Sequence, residues 1–271
     1  MTRGVTIFAF NNEQIDYLAM AAWSARNIRR HLNVPVCVIT DVTDTTRTVD
    51  FDQVVLTESP AVQQQRYFYD FKNSAAWHNM NRSSIYELTP WDHTLVLDAD
   101  YVVASDQLKV LFDVDQDFLA HRVAVDASGY PPFNDNNYFG SYRIPMYWAT
   151  VMCFRRSKTA QLIFDAMQMI RDNWDHYRQL YYIPENTFRN DYALSIAMNI
   201  VDGHTLSTAS IPWSLMSLTS QSRITQIDPD TYRIDYENSL TEGKVKWVLL
   251  KQQDFHAMGK KSLGAIVASP L

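Results

Sequence analysis

Glycine is scarce in this chain: seven residues in 271, at positions 4, 129, 140, 203, 243, 259 and 264, no two of them separated by a single residue. A G-x-G-x-x-G dinucleotide fingerprint is therefore excluded. Gly259 and Gly264 have the separation of a P-loop, but Ala265 and Ile266 follow where phosphate chemistry needs Lys and Ser or Thr. Cysteine is scarcer still. Cys37 and Cys153 each sit in an apolar, strand-like run without a Cys or His at ligand spacing, so they read as reduced core thiols. Positive charge is also lacking overall: 24 Lys and Arg against 30 Asp and Glu give a net charge of −6. Any contact with a nucleic acid must then use a local patch. No apolar stretch reaches the length of a membrane span, and Met1-Thr2-Arg3-Gly4 runs straight into a strand-like segment. The expectation is a cytoplasmic protein with no membrane partner.

What is present is a composition rich enough in apolar residues to fold, 46% hydrophobic and 20% charged. Strand-length apolar runs alternate with helical periodicity through the first half, which predicts an α/β domain with a mostly parallel central sheet flanked by helices. Val5 to Phe10, Val34 to Ile39, Gln53 to Leu56 and Thr94 to Leu97 read as strands. Asp16 to Leu32 reads as a helix, with Leu18, Ala21, Ala25 and Ile28 at three-to-four spacing. Asn73 to Leu88 reads as another, stopped by Pro90, and Ser105 is placed to cap a short helix through Phe112. Phe118 to Val125 and Trp148 to Phe154 continue the strand pattern. Ser157 caps one long helix carrying Ile163, Met167, Ile170, Trp174, Tyr177 and Tyr181 on a single face, and Asn190 caps a helix through Val201 that ends at Gly203. Tyr232 to Tyr236 and Val245 to Leu250 are short strands. Asp126 to Tyr147, centred on Asn134-Asp-Asn-Asn137, is a long loop and a candidate lid or acceptor loop. Trp77, Trp91, Trp213 and Trp247 are assigned to packing. With no repeat or flexible linker, the chain reads as one domain over residues 1–271.

The most informative feature is Asp98-Ala99-Asp100 at the end of a wholly apolar strand. Carboxylates at i and i+2 of an extended chain lie on one side, so both can face one cation, and the carboxyl edge of a parallel sheet is where open α/β folds bind ligands. Two adjacent carboxylates repel unless a cation neutralises them. His256, in Asp254-Phe255-His256-Ala257-Met258-Gly259-Lys260-Lys261, is a third candidate ligand. Two carboxylates with one imidazole suit Mn²⁺ better than Mg²⁺, and the neighbouring lysines suit phosphate oxygens. Together these residues describe a cation bridging protein to a diphosphate leaving group.

In these residues the chain resembles the GT-A glycosyltransferases of the glycogenin and bacterial galactosyltransferase type. Phe8-Ala9-Phe10-Asn11-Asn12 through Tyr17 is similar to that family's uridine-binding start, and Arg82, sixteen residues before Asp98, stands where the family has a basic donor contact. Leu97-Asp98-Ala99-Asp100 is similar to its metal motif, and His256-Ala-Met-Gly259 to its closing His-x-x-Gly element. The resemblance implies a single GT-A, Rossmann-like domain, with a nucleotide-binding half at residues 1–125 and an acceptor-binding half at residues 126–271. It implies a nucleoside diphosphate sugar donor, UDP-linked by preference, bound by Ala9, Phe10, Asn11, Tyr17, Arg82, Asp98, Gly259, Lys260 and Lys261. Mn²⁺ or Mg²⁺ would be held by Asp98, Asp100 and His256, and transfer to a hydroxyl would retain anomeric configuration. Departures from the family pattern are Trp148-Ala149-Thr150 in place of Asn-Ser-Gly, Asn190-Asp191 in place of an Asp-Gln pair, and Ser262 where the family has Lys. Asp191 and Asn190 become the candidate catalytic residues, Asp191 as a base if transfer inverts or as an orienting and charge-stabilising group if it retains. General similarity to phage-encoded proteins of this type makes a hydroxymethylated base in phage DNA one acceptor, reached through Arg155-Arg156-Ser157-Lys158 and Lys260-Lys261, with the host cytoplasm as its setting. A metal-dependent phosphoesterase or nuclease using the same three ligands, and a non-catalytic GT-A-like binding module, are the alternatives.

Overall fold

The computed structural model describes residues 1–58, 64–78, 81–131, 137–205, 209–237 and 243–269. Strand β1 (Arg3–Phe8) leads into helix α1 (Tyr17–Leu32), then β2 (Val36–Thr40) and β3 (Gln53–Leu56). Asp16 caps α1 by accepting from Ala19 N at 3.0 Å, so the helix starts where an acidic cap precedes the apolar stripe. A hairpin follows, β4 (Gln64–Phe68) and β5 (Asn73–Trp77), then a 3₁₀ turn at Arg82–Ser84 and the single-turn α2 (Ile85–Leu88). Of the helix expected from Asn73 to Leu88, Asn73–Trp77 is instead the second strand of this hairpin, and among the described residues only Arg82–Leu88 is helical. Cross-strand pairing from Gln64 with Trp77 to Phe68 with Asn73 supplies the backbone partners, and the aromatic-rich strands favour it.

Strand β6 (His93–Asp98) runs into β7 (Tyr101–Val102), followed by β8 (Phe118–His121) and β9 (Ala124–Val125). The single strand expected over Phe118 to Val125 therefore divides between two sheets. The short helix expected after Ser105 is a 3₁₀ turn, Gln107–Phe112. Strands β10 (Tyr138–Phe139) and β11 (Ile144–Pro145) form a small hairpin inside the expected loop, whose Asn134, Asp135 and Asn136 lie outside the described residues. Strand β12 (Trp148–Arg155) precedes α3 (Lys158–Asp172) and α4 (Trp174–Leu180). The long helix is broken at Asn173, whose Nδ2 donates to Met169 O at 2.9 Å, a side-chain competitor for the helical ladder. Helix α5 (Asn190–Val201) is capped by Arg189 and not by Asn190, which is its first helical residue. The chain closes with β13 (Leu215–Leu218), β14 (Arg223–Asp228), β15 (Thr231–Tyr236), β16 (Lys246–Lys251), β17 (Phe255–Ala257) and α6 (Lys260–Ala268).

The central sheet has the order β3-β2-β1-β6-β12-β8, parallel from β3 to β6, with β12 antiparallel to both neighbours. The mixed, mostly parallel sheet expected from the sequence is present. Strand order reverses at β1, which has β2 on one side and β6 on the other, so the carboxyl ends of β1 and β6 open a crevice between diverging connections. Phe8 and Asp98 are paired neighbours at that edge. A second sheet, β7-β17-β13-β9, lies beyond it, and Tyr17 packs against the hydrophobic clusters of both sheets. Cys37 and Cys153 are free and buried, as expected. Trp247 is not in the core: it is 59% exposed on the β14-β15-β16 meander, beneath the Arg233 guanidinium.

Candidate active site

The crevice widens into a cavity of about 650 Å³. Its floor is set by backbone pairing. Immediately after Asp100 the chain enters β7, where Tyr101 pairs with His256 of β17, and Ala257 N donates to Asp100 O at 2.9 Å. That antiparallel contact carries His256 to the acidic pair. On the other side Ser217 of β13 pairs with His256 and its Oγ lies 3.3 Å from Nδ1, leaving Nε2 aimed at the carboxylates. His256 Nε2 is 3.4 Å from Asp100 Oδ2 and 4.0 Å from Asp98 Oδ2. One ligand atom from each of the three lies within 4.8 Å of the others. Burial holds the imidazole below its ordinary value despite the attraction of Asp98 and Asp191, so it is neutral at neutral pH and offers a lone pair. Two carboxylates and a neutral imidazole are a fitting donor set for a divalent cation.

Each carboxylate also has a side-chain cation. Arg82, only 2% exposed, ties β6 to β12 by donating to Asp98 Oδ1 and to Ala149 O. Lys260, at the first turn of α6, donates to Asp100 Oδ2 and, at 3.2 Å, to Ala257 O. On the facing wall, Asp191 accepts from Ala149 N at 2.9 Å and from Arg189 Nη2 at 3.0 Å. Burial alone would raise the Asp191 carboxyl, but the Arg189 charge and these hydrogen bonds outweigh it and hold it below the usual carboxylate range.

Of the residues singled out in the sequence, Phe10, Tyr17, Arg82, Asp98, Asp100, Asn190, Asp191, His256 and Lys260 line this cavity. Ala9, Asn11, Gly259 and Lys261 do not. The backbone of Ala9 is engaged with Ile39 O and Thr40 Oγ1, and Asn11 Oδ1 accepts from Leu18 N in the first turn of α1. Gly259 caps α6 where a Cβ would stand 3.1 Å from Ser222 O, so it serves a close backbone approach. Lys261 lines a neighbouring groove, and its N–H donates to Asp70. In the proposed basic patch, Arg155 is held by Asp115 and Val114 O and Arg156 by Thr89 O.

Sequence reading overlooked the cavity roof. The β4-β5 hairpin contributes Arg66, Phe68, Tyr69, Asp70 and Trp77, and the Arg66 guanidinium lies 3.6 Å from the centroid of the Trp77 ring. Desolvation lowers Arg66 to about 10, helped by the nearby Arg189 charge. The aromatic run Tyr67-Phe68-Tyr69 beside Arg66, a composition that favours strands, was the available signal. Four cations, Arg66, Arg82, Arg189 and Lys260, face four carboxylates, Asp70, Asp98, Asp100 and Asp191, around the cavity.

No protein-family model matches the chain, and no curated protein matches its sequence. Among solved structures it is similar to the glycosyltransferase GlyE of Streptococcus pneumoniae TIGR4, 15% identical over 78% of this chain and 46% of that one, TM-score 0.46. It is also similar to the galactosyltransferase LgtC in complex with donor and acceptor sugar analogs, 13% identical over 71% of this chain and 70% of that one, TM-score 0.49. The chain thus spans less than half the length of GlyE. Among the described residues no helix is long and apolar enough to cross a membrane.

Proposed function

We propose that this protein is a metal-dependent glycosyltransferase of the GT-A type, transferring a sugar from a nucleoside diphosphate sugar to a hydroxyl. One observation carries the reading: Asp98, Asp100 and His256 converge at the carboxyl edge of a parallel sheet, at its strand-order reversal, on the floor of a cavity large enough for a nucleotide sugar. A divalent cation, Mn²⁺ by this donor set, supplies charge neutralisation at the diphosphate when bound. The chain's own residues supply the rest. Phe10 and Tyr17 offer apolar surface for the base, UDP being the donor that the resemblance favours. Arg66 and Lys260 are the cations able to reach phosphate oxygens, and Asn190 and Asp191 face the side from which the sugar is handled. In this reading the nucleotide rests mainly on residues 1–125 and the acceptor on residues 126–271, with His256 and Lys260 crossing from the second part into the first.

Retention of configuration is the better-supported outcome. Asp191 is held ionised below the ordinary range, with hydrogen bonds from both Ala149 and Arg189, so it is a weak base and a fixed negative charge at the cavity wall, able to stabilise positive charge developing on a bound sugar. A two-metal phosphoesterase has less support, since the described residues hold one group of three clustered ligands. A DNA acceptor would meet the exposed Arg156, Lys158 and Lys261, since Arg155 is half-buried against Asp115 and Val114 O. The reading carries a cytoplasmic setting, in which free thiols persist.

The test is release of nucleoside diphosphate from a panel of nucleotide sugars with and without Mn²⁺, followed by the same assay on Asp100→Asn. Metal-dependent release that is lost in the variant supports the reading; release indifferent to chelator and to the substitution overturns it. Proton NMR of fresh product reports the anomeric outcome.

A further inference from the structure

The acidic pair is already charge-compensated by the chain itself. Asp98 is held by Arg82, which is committed at the same time to Ala149 O and is built into the junction of β6 and β12. Lys260 differs in kind. Its ammonium contacts the very Asp100 oxygen, Oδ2, that stands nearest His256 Nε2, and its other partner is a single backbone carbonyl at 3.2 Å. It is 9% exposed, at the end of a flexible side chain on the first turn of α6, and it lines the cavity beside Met258 and Ser220. A cation shared by Asp98, Asp100 and His256 must use that same neighbourhood. A buried ammonium on Asp100 Oδ2 and a divalent cation on the same oxygen repel strongly where water screens little. An ammonium expelled from a carboxylate and still buried needs a new anion.

Resting on the glycosyltransferase reading, we propose that Lys260 is the resident counter-cation of Asp100, and that divalent cation and donor diphosphate enter as a coupled pair, Lys260 passing from the carboxylate to the diphosphate. The chain then binds metal weakly without nucleotide and nucleotide weakly without metal, and each raises the affinity for the other by the same factor. The position of the lysine agrees with this: it opens α6 directly after Gly259, with its Nζ on Asp100 Oδ2.

The experiment is titration of the full chain with Mn²⁺ alone, by calorimetry and by the EPR signal of free Mn²⁺, then with UDP present, for wild type, Lys260→Met and Lys260→Gln. In wild type UDP should tighten Mn²⁺ binding at least tenfold. Lys260→Met should bind Mn²⁺ alone at least tenfold more tightly than wild type, and UDP should then add correspondingly less. Lys260→Gln, a polar replacement, should behave alike, and far-UV circular dichroism with thermal melts establishes that either variant is folded. Should both variants misfold, wild type still tests the coupling: melting-temperature rises with Mn²⁺ and UDP that merely add would overturn it. Equal Mn²⁺ affinity in wild type and folded variants overturns the role of Lys260 while leaving the glycosyltransferase reading standing, whereas additive thermal shifts in wild type overturn both. Absence of Mn²⁺ and UDP binding in wild type and every variant overturns both.

Discussion

Arg189 and Asp191 form an ion pair across the first turn of α5, Nη2 to Oδ2 at 3.0 Å, and the Arg189 guanidinium also lies 5.1 Å from the centroid of the Tyr192 ring. The pair fixes where the negative charge of Asp191 sits in the cavity. Asp191→Asn keeps the acceptor for Ala149 N and removes the charge. Sugar transfer should fall by about 10²-fold or more, the scale of a lost preorganised electrostatic contact, while the dissociation constant for UDP with Mn²⁺ changes by less than about threefold. Steady-state rates together with calorimetry check this, and near-normal transfer would remove Asp191 from the machinery.

Arg82 reads in the sequence as a donor contact on a helix, but the structure buries it against Asp98 and Ala149 O. Arg82→Ala should therefore cost stability as well as function, by about 3 kcal/mol or more, because it strands a partly buried carboxylate and a carbonyl. Urea denaturation measures it. A loss under about 1 kcal/mol would return Arg82 to a role in ligand binding alone.

Arg66 is a desolvated cation stacked on Trp77 at the cavity roof. Arg66→Ala should weaken binding of UDP by at least about tenfold, the worth of one charge-assisted hydrogen bond, with the melting temperature little changed, since the hairpin keeps its ladder. Unchanged UDP affinity would mean that the roof does not reach the phosphates.

His93 and His121 are each pushed down to about 4, chiefly by burial, so the folded chain resists protonation that the unfolded chain accepts from about pH 6.5 downward. Their stabilising contribution is complete above that value and is lost as pH falls towards 4, by about 1.4 kcal/mol per pH unit for each histidine. Asp254, pushed up to about 6 by burial, works in the opposite direction over part of the window, so the readout is a difference between variants. His121→Gln should make the slope of unfolding free energy between pH 6 and 5 shallower by about 1.4 kcal/mol per unit. Parallel slopes would show that His121 titrates normally in the fold.

Both thiols are pushed up to about 12 by burial. Since the thiolate is the reacting species, the native protein should give no reaction with a disulfide reagent at pH 8, and two equivalents should react after denaturation. Rapid modification of the native chain would contradict the packing around Cys37 or Cys153.

What the sequence determined alone was local. Periodicity defined α1, an unbroken apolar run defined β6 up to Asp98, and the apolar settings of Cys37 and Cys153 foretold their burial. These features depend on neighbours one to four residues apart, where side-chain spacing is dictated by helix or strand geometry. Tertiary structure decided the rest. His256 meets Asp100 because β17 pairs with β7, Lys260 reaches across 160 positions to Asp100, and Arg66 enters the cavity because Gln64–Phe68 pairs as a hairpin with Asn73–Trp77, a segment that reads as helix by itself. Strand register is a property of two segments at once, and the gain from pairing and burial can outweigh the preference of either segment on its own.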